Sequence, residues 1–387
     1  MELNIESLKL VCPCSESPAE KVVYSTDSSC MQGELLAVTW PENLEQLQKL
    51  IRFATREKVS LIPRGGGTSL VGGCVPQSSI VVDMSRLNKI KRLILEEKTV
   101  IAEAGVYLDN LNNSLSKYNL EFPIKPGSHA GCTIGGMIAT NAAGLLSKKF
   151  GKVDGWVSEI TFMDGTGKLF TFEGNEAKKL AGSEGTCGFI VEAKLKLLEI
   201  SENFSSDLFE FENLQGMSEK LNALKNDDAA IAIEYINPIA SKLVGMTAKE
   251  HLLVKYSNDK GKLDIDEASK VWKMRENLYS VIFNAGFTKI EDPFFEEGVE
   301  RFLDWINKQN VPAYGHIGYG IIHPHFRREE DIERMNNAVK ELHGQLAGEH
   351  GIGLLKKKYA PLGITTRIKE IKAAYDPSNI MNRGKVI

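Results

Sequence analysis

Hydrophobic positions recur at helical spacing along residues 43–57, with Leu47, Leu50, Ile51 and Ala54 on one face, and predict an amphipathic helix. The apolar run at 59–63 is too short for a second helix and reads as a strand. Residues 64–70, with three consecutive glycines, must turn, and 79–83 resumes as a strand. A further strand is expected over 99–106, a helix over 107–118, and a short helix at 133–140 inside the glycine-rich stretch 127–144. Asp164, Gly165, Thr166 and Gly167 carry a hairpin signal that joins two more strands. The pattern is α+β, with its glycines gathered in loops.

Beyond about residue 200 the texture changes. Polar segments separate strands near 229–235 and 251–256 from amphipathic helices near 267–283 and 296–308. A segment rich in glycine and histidine follows at 313–325, then a long helix over 329–346 and a tail that runs through 348–353 to 376–384. No internal repeat or low-complexity stretch interrupts this order. A chain of 387 residues with 42% hydrophobic content has enough apolar material for two cores, so the change of texture marks a second domain.

Charge and cysteine usage narrow the class. The net charge of -4 and the lack of any basic concentration give a nucleic acid nothing to bind. The N-terminal residues lack a basic segment followed by an apolar core, which predicts a cytoplasmic address. No apolar run is long enough to cross a bilayer, so any membrane contact is expected to be peripheral, with Lys356, Lys357 and Lys358 as its one candidate. Cys12, Cys14, Cys30, Cys74, Cys132 and Cys187 include a C-x-C but no C-x-x-C, so they read as reduced thiols without an iron–sulfur cluster.

Two constellations carry chemistry. Gly65, Gly66 and Gly67 before Thr68 and Ser69 free the backbone N–H groups to point into one concave space, as a diphosphate requires. The loop matches neither the P-loop nor the Rossmann fingerprint, so a nicotinamide cofactor is poorly supported, and a tight turn between strands would explain three glycines in isolation. The second constellation is a crowding of histidines: four of the seven, His316, His323, His325 and His350, fall close together, with Glu349 beside the last. His316 and His323 would face opposite ways on a continuous strand, but Gly318 and Gly320 permit a bend between them. Two imidazoles and a carboxylate suit zinc, manganese or iron with positions left open for substrate oxygens, whereas core packing would explain such histidines taken alone.

The glycine segments together, 63–73, 126–128, 133–144 and 182–189, resemble the FAD-binding domain of the vanillyl-alcohol oxidase superfamily. Residues 315–324 and 348–353 with the closing stretch from Asp376 resemble the C-terminal domain of D-lactate dehydrogenases, glycolate oxidase flavin subunits and D-2-hydroxyglutarate dehydrogenases. The resemblance implies an α+β fold: a two-subdomain FAD-binding domain over 1–200, a ferredoxin-like substrate domain over 201–345, and a C-terminal segment, 346–387, returning to complete the active site. It implies FAD contacts at Arg64, Gly65, Gly66, Gly67, Thr68, Ser69, Pro126, Gly127, Ser128, Thr133, Gly135, Gly136, Asn141, Gly144, Gly182, Ser183, Glu184, Gly188, Phe189 and Asn382. The first loop lacks the histidine through which some relatives bond the flavin, so FAD is expected to be non-covalent, and His129 is expected to be a hydrogen-bonded loop residue.

By the same resemblance His316, His323 and Glu349 bind a divalent metal, zinc before manganese or iron, and His350 is the catalytic base. Arg275 grips the substrate carboxylate with Lys289 as accompanying cation, while surface charge on an amphipathic segment is the plainer reading of both. The chain departs from the family where an aspartate and an asparagine usually flank the second glycine, having Tyr319 and Ile321 instead. The implied activity is oxidation of a small D-2-hydroxy acid, D-lactate or glycolate, with His350 removing the hydroxyl proton and hydride passing to flavin N5. Electrons would leave to an external acceptor, a quinone, cytochrome or electron-transfer protein, and a homodimer is left open. The competing readings are a non-catalytic flavin-carrying subunit and an alkyl-ether lipid synthase of the same fold.

Overall fold

The computed structural model describes residues 3–201 and 203–387, and by internal contacts they form two units. The first runs to Ala142 and includes Lys152–Ile200 and His350–Ile387; the second comprises Ala143–Gly151 and Ser201–Glu349. The division falls between Glu349 and His350 rather than after residue 345, and residues 143–151, which lie within the FAD-binding domain expected over 1–200, group with the second unit.

In the first unit the helix Leu44–Glu57 starts where the Asn43 side chain accepts from the Gln46 N–H and ends at Lys58 in the left-handed region. Its buried stripe, Leu47, Leu50, Ile51, Phe53 and Ala54, packs with Leu61, Ile80 and Val82 into one apolar cluster. Those last residues lie in a four-stranded sheet ordered Cys14–Ser15, Glu34–Thr39, Gln77–Asp83, Ser60–Arg64, whose three longer strands are parallel. A parallel pair needs a crossover, and the crossover that leaves Ser60–Arg64 is the glycine loop, at the carboxyl end of the strand. A second sheet of five antiparallel strands runs Ile90–Ile94, Thr99–Glu103, Gly188–Lys196, Val157–Asp164, Leu169–Glu173. The expected hairpin at 164–167 joins the last two, with Gly167 at φ +83°.

The second unit is an antiparallel sheet ordered Ser205–Phe211, Glu250–Tyr256, Ala230–Ile236, Ala313–Gly315, His323–Phe326, Lys289–Ile290, with the helices Leu214–Lys225, Ile265–Asn284, Val299–Gln309 and Glu329–Glu341. This is the ferredoxin-like α+β arrangement expected. Asp264 and Glu267 form a capping box that starts Ile265–Asn284. The helix expected to reach residue 346 stops at Glu341, because His343 turns left-handed and Gly344 lies where a Cβ would come within 2.5 Å of the Phe295 ring. Among the described residues no helix is long and apolar enough to cross a membrane.

The closing segment is built into the first unit by hydrogen bonds. The Leu61 N–H donates to the Ile380 carbonyl and the Asn382 N–H donates to the Leu61 carbonyl, each at 2.8 Å. The Asn382 amide donates to the carbonyls of Glu184 at 2.7 Å and Gly73 at 3.1 Å, and its oxygen accepts from buried Lys385 at 2.7 Å. The Glu184 carboxylate accepts from the Ile352 and Gly353 N–H groups at 2.6 and 2.9 Å. Burial nonetheless raises the Glu184 carboxyl to about 7, against the lowering effect of those two donors, and burial lowers the Lys385 amine to about 8.

A carboxyl whose folded value lies above its unfolded one is protonated preferentially in the folded state, so stability falls as pH rises through that interval. We expect Glu184 to subtract roughly 3 kcal/mol between about pH 4.5 and pH 7. Lys385, lowered on folding, acts oppositely, with stability regained above about pH 8. Urea unfolding across pH 4.5 to 7 measures this: the wild-type slope should be largely lost in Glu184→Gln, and an unchanged slope would refute the assignment.

Candidate active site

In the first unit, three of the predicted glycine segments meet. The Cβ of any residue at Gly65 would lie 2.2 Å from Thr133 Oγ1, and at Gly66 only 1.6 Å from the Gly131 carbonyl oxygen. The first loop therefore lays its backbone on the Thr133 side chain and the Gly131 carbonyl, an approach only glycine allows. Gly67, at φ +71°, packs on the guanidinium of Arg64, which donates to the Thr26 carbonyl at 2.6 Å and lies over the Tyr24 ring. Among the described residues the N–H groups of Gly66, Gly67 and Thr68 donate to no other protein group, while the Ser69 N–H faces the Cys74 thiol. A row of uncommitted N–H groups in a concave loop suits a diphosphate, so the residues present fit the phosphate portion of FAD.

Thr133 caps the helix Ile134–Thr140, its Oγ1 accepting from the Gly136 N–H, while Gly135 packs against Ala104. The third segment joins the same helix: Gly182 N–H donates to the Ile138 carbonyl and Glu184 N–H to the Ala139 carbonyl. Ser183 is buried and Asn141, left-handed at the helix end, accepts from the Asp154 N–H. Two predicted contacts point elsewhere: Phe189 is in the apolar core, and Gly188 packs on the Phe162 ring. Glu184 and Asn382 use their side chains to tie the closing segment, as above. Gly144 belongs to the second unit. Pro126, Gly127 and Ser128 form an accessible turn, and a Cβ on Gly127 would meet nothing within 4 Å. His129 Nδ1 is held by Asp109 at 2.8 Å, as a hydrogen-bonded loop residue.

The second unit assembles the histidine and glutamate set. His316 follows the strand Ala313–Gly315 and His323 opens His323–Phe326. The turn between them doubles back because Gly315 fits against Ile321 and Ile322 backbone and Gly320, at φ +100°, lies where a Cβ would come 2.1 Å from the Phe295 carbonyl oxygen. The bend expected from the glycines is thus present, and the rings of His316 and His323 lie 5.6 Å apart, edge to face. Glu349 Oε1 lies 3.0 Å from His323 Nε2 and 3.7 Å from His316 Nε2, and one donor atom from each residue falls within 4.8 Å of the others.

Each of these groups is held from behind. His316 Nδ1 meets Glu234 Oε1 at 2.7 Å, His323 Nδ1 meets the Glu291 carbonyl at 3.3 Å, and the Glu349 N–H donates to Asp292 Oδ2 at 2.6 Å. A borderline donor set with oriented imidazoles fits a divalent cation. Burial by itself would lower the basicity of His316, but the carboxylates of Glu234 and Glu349 outweigh it and raise it. Burial likewise works to raise Glu234, and Arg275 with His316 overrides it and keeps the carboxylate ionised.

Arg275, on the helix Ile265–Asn284, donates Nε to Glu234 Oε2 at 2.6 Å, with Nη2 on the same oxygen, and its guanidinium lies over the Tyr314 ring at 4.4 Å. Lys289 is paired with Glu329 instead of with this cluster. His325 is packed among aromatic rings, 5.4 Å from Tyr314 and 6.1 Å from Tyr279. At the two departures from the family pattern, Tyr319 packs on Phe294 and Ile321 is fully buried. His350 follows Glu349 in the chain and groups with the first unit. Sequence reading missed Glu234 and Asp292. The signal for Glu234 was a single charged residue in Ala230–Ile236, a run otherwise without charge; Asp292 stands in a mixed turn with no such signal.

Comparison with known proteins agrees with this geometry. Residues 35–173 match the FAD binding domain family and residues 259–386 match the family of FAD linked oxidases, C-terminal domain. The D-lactate dehydrogenase of Archaeoglobus fulgidus is 25% identical over 92% of this chain and 92% of its own. The glycolate oxidase subunit GlcD of Bacillus subtilis is 25% identical over 96% and 93%, and the D-2-hydroxyglutarate dehydrogenase of Xanthomonas citri pv. viticola 26% identical over 91% and 89%. A solved structure of alkyldihydroxyacetonephosphate synthase, 17% identical, covers 98% of this chain and 84% of its own with a TM-score of 0.73, a likeness of fold. With an FAD binding domain followed by the C-terminal domain of FAD linked oxidases in the vanillyl-alcohol oxidase type of fold, the chain belongs to the FAD-linked oxidases.

Proposed function

We propose that the protein oxidises a small D-2-hydroxy acid, D-lactate or glycolate, to its 2-oxo acid, as a cytoplasmic enzyme that passes electrons to an external acceptor. The observation that carries the reading is the convergence of His316, His323 and Glu349, with Arg275 joined to the same cluster through Glu234. A 2-hydroxy acid presents a carboxylate and a hydroxyl on adjacent carbons, and a guanidinium beside a cation-binding set meets both. Arg275 Nη1, which has no other hydrogen bond among the described residues, anchors the carboxylate. His350, joined to Glu349 by one peptide bond, takes the hydroxyl proton. FAD would supply the acceptor for the hydride from C2, and a divalent cation, zinc before manganese or iron, would supply the charge that acidifies the hydroxyl, as such ions acidify bound water. The names of the three relatives support this substrate class.

FAD is held without a covalent bond, since the loop at 64–69 has neither histidine nor cysteine. Acid precipitation of the holoprotein is therefore expected to release its colour into the supernatant; colour retained in the pellet would contradict this. Anaerobic titration of the zinc- or manganese-supplemented holoprotein with D-lactate, L-lactate and glycolate tests the reaction. Bleaching of the flavin band by D-lactate or glycolate, but not by L-lactate, is the expected result, and a flavin that no hydroxy acid reduces would favour a non-catalytic carrier subunit. His350→Ala is expected to retain FAD and lower turnover about 100-fold or more; unchanged turnover would remove His350 from its role.

A further inference from the structure

We infer that Glu234 is a positioning residue that couples the two halves of substrate recognition, holding His316 for the cation with one oxygen and Arg275 for the substrate carboxylate with the other. The inference rests on the reading under Proposed function and extends it to a residue that no motif signals. Glu234 is the one charged residue in Ala230–Ile236, a strand buried along its whole length, and its own exposure is 0%. An ionised carboxylate inside a sheet is costly unless paired and hydrogen-bonded. A single cation would satisfy that need, yet the two oxygens are divided between separate elements: Oε1 to His316 Nδ1 at 2.7 Å, Oε2 to Arg275 Nε at 2.6 Å.

The division has chemical consequences. A carboxylate accepts only, so Nδ1 of His316 must carry the hydrogen, which leaves the lone pair on Nε2, the nitrogen facing Glu349. On the other side, Glu234 occupies the Nε and Nη2 groups of Arg275 while Tyr314 covers its face, so the guanidinium is fixed with Nη1 as the free end. One buried side chain thus sets a ring tautomer and the heading of a guanidinium together. Glutamine at this position cannot do both. With its oxygen toward Arg275 it turns an NH2 on His316 Nδ1, which then must accept, moving the ring hydrogen to Nε2 and removing the lone pair offered to the cation. With the amide reversed, the NH2 confronts the donors of Arg275.

The test uses FAD-loaded full-length protein and measures zinc affinity by competition with a metallochromic chelator, together with KM and kcat for the hydroxy acid that reduces the wild type. Glu234→Gln should bind zinc 10- to 100-fold more weakly and raise KM, with flavin content and circular dichroism unchanged. Glu234→Asp, which keeps the acceptor charge on a shorter arm, should recover part of the zinc affinity, whereas a merely space-filling role would make aspartate no better than glutamine. Arg275→Gln should raise KM while leaving zinc affinity within a few-fold of wild type. Wild-type zinc binding with Glu234→Gln indistinguishable from it would overturn the role of Glu234 and leave the proposed reaction standing. A wild type that binds neither zinc nor manganese would overturn the cation reading, and the coupling with it.

Discussion

The glycine loop can serve a cofactor only because its backbone lies closer to residues 131–133 than any side chain of its own would permit. At Gly65 and Gly66 the space a Cβ would need is already occupied by Thr133 and by the Gly131 carbonyl. That approach sets the curvature of the loop, leaves its N–H groups turned away from the protein's own carbonyls, and draws in the short helix that Thr133 caps. The parallel sheet below supplies a rigid origin for the loop, and the buried face of Leu44–Glu57 holds that sheet. Affinity for an anion here is a property of main chain geometry more than of charge, because the one nearby cation of the loop, Arg64, is engaged with Thr26 and Tyr24.

The second unit solves a different problem by the opposite means. Its site is made of side chains, and the difficulty is to keep ionisable groups ordered in a dry sheet. Every member of the His316, His323 and Glu349 set has a partner on its far side, and those partners come from two places in the sequence: Glu234, and the adjacent pair Glu291 and Asp292. Low dielectric makes such a network expensive to leave incomplete and stiff once complete. Tyr319 and Ile321 next to this set form an apolar and aromatic flank, with Phe294 and Phe295 behind it.

Much of this was legible in the sequence, and the boundary of legibility follows physical lines. Local patterns gave the helix at 44–57, the hairpin at 164–167 and the bend between His316 and His323, because each is decided by periodicity or by glycine geometry within a few residues. The metal candidates were visible as a crowding of unusual residues. What stayed hidden is decided at long range: that Glu234 faces His316 across 82 positions, that Lys289 is drawn to Glu329, and that Phe189 turns into the core. The helix expected to extend to 346 ends at Glu341 because His343 turns left-handed, and the Phe295 ring, remote in sequence, leaves room only for a glycine at 344.

The discontinuity of the first unit bears on how the protein is made. Ser60 and Leu61 find hydrogen-bond partners at Ile380, 320 residues away in the case of the Ser60 hydroxyl, and the 184 segment waits for Asn382 and for Ile352 and Gly353. A ribosome emits the parallel sheet long before it emits the strap that finishes it. During that interval the nascent first unit exposes apolar surface around Leu61 that Ile380 and Met381 later cover, while the second unit, 143–151 with 201–349, already has all of its residues. The order of synthesis is thus inverted by the order of completion: the unit begun first is finished last, and the half of the molecule that carries the glycine loop stays open longest.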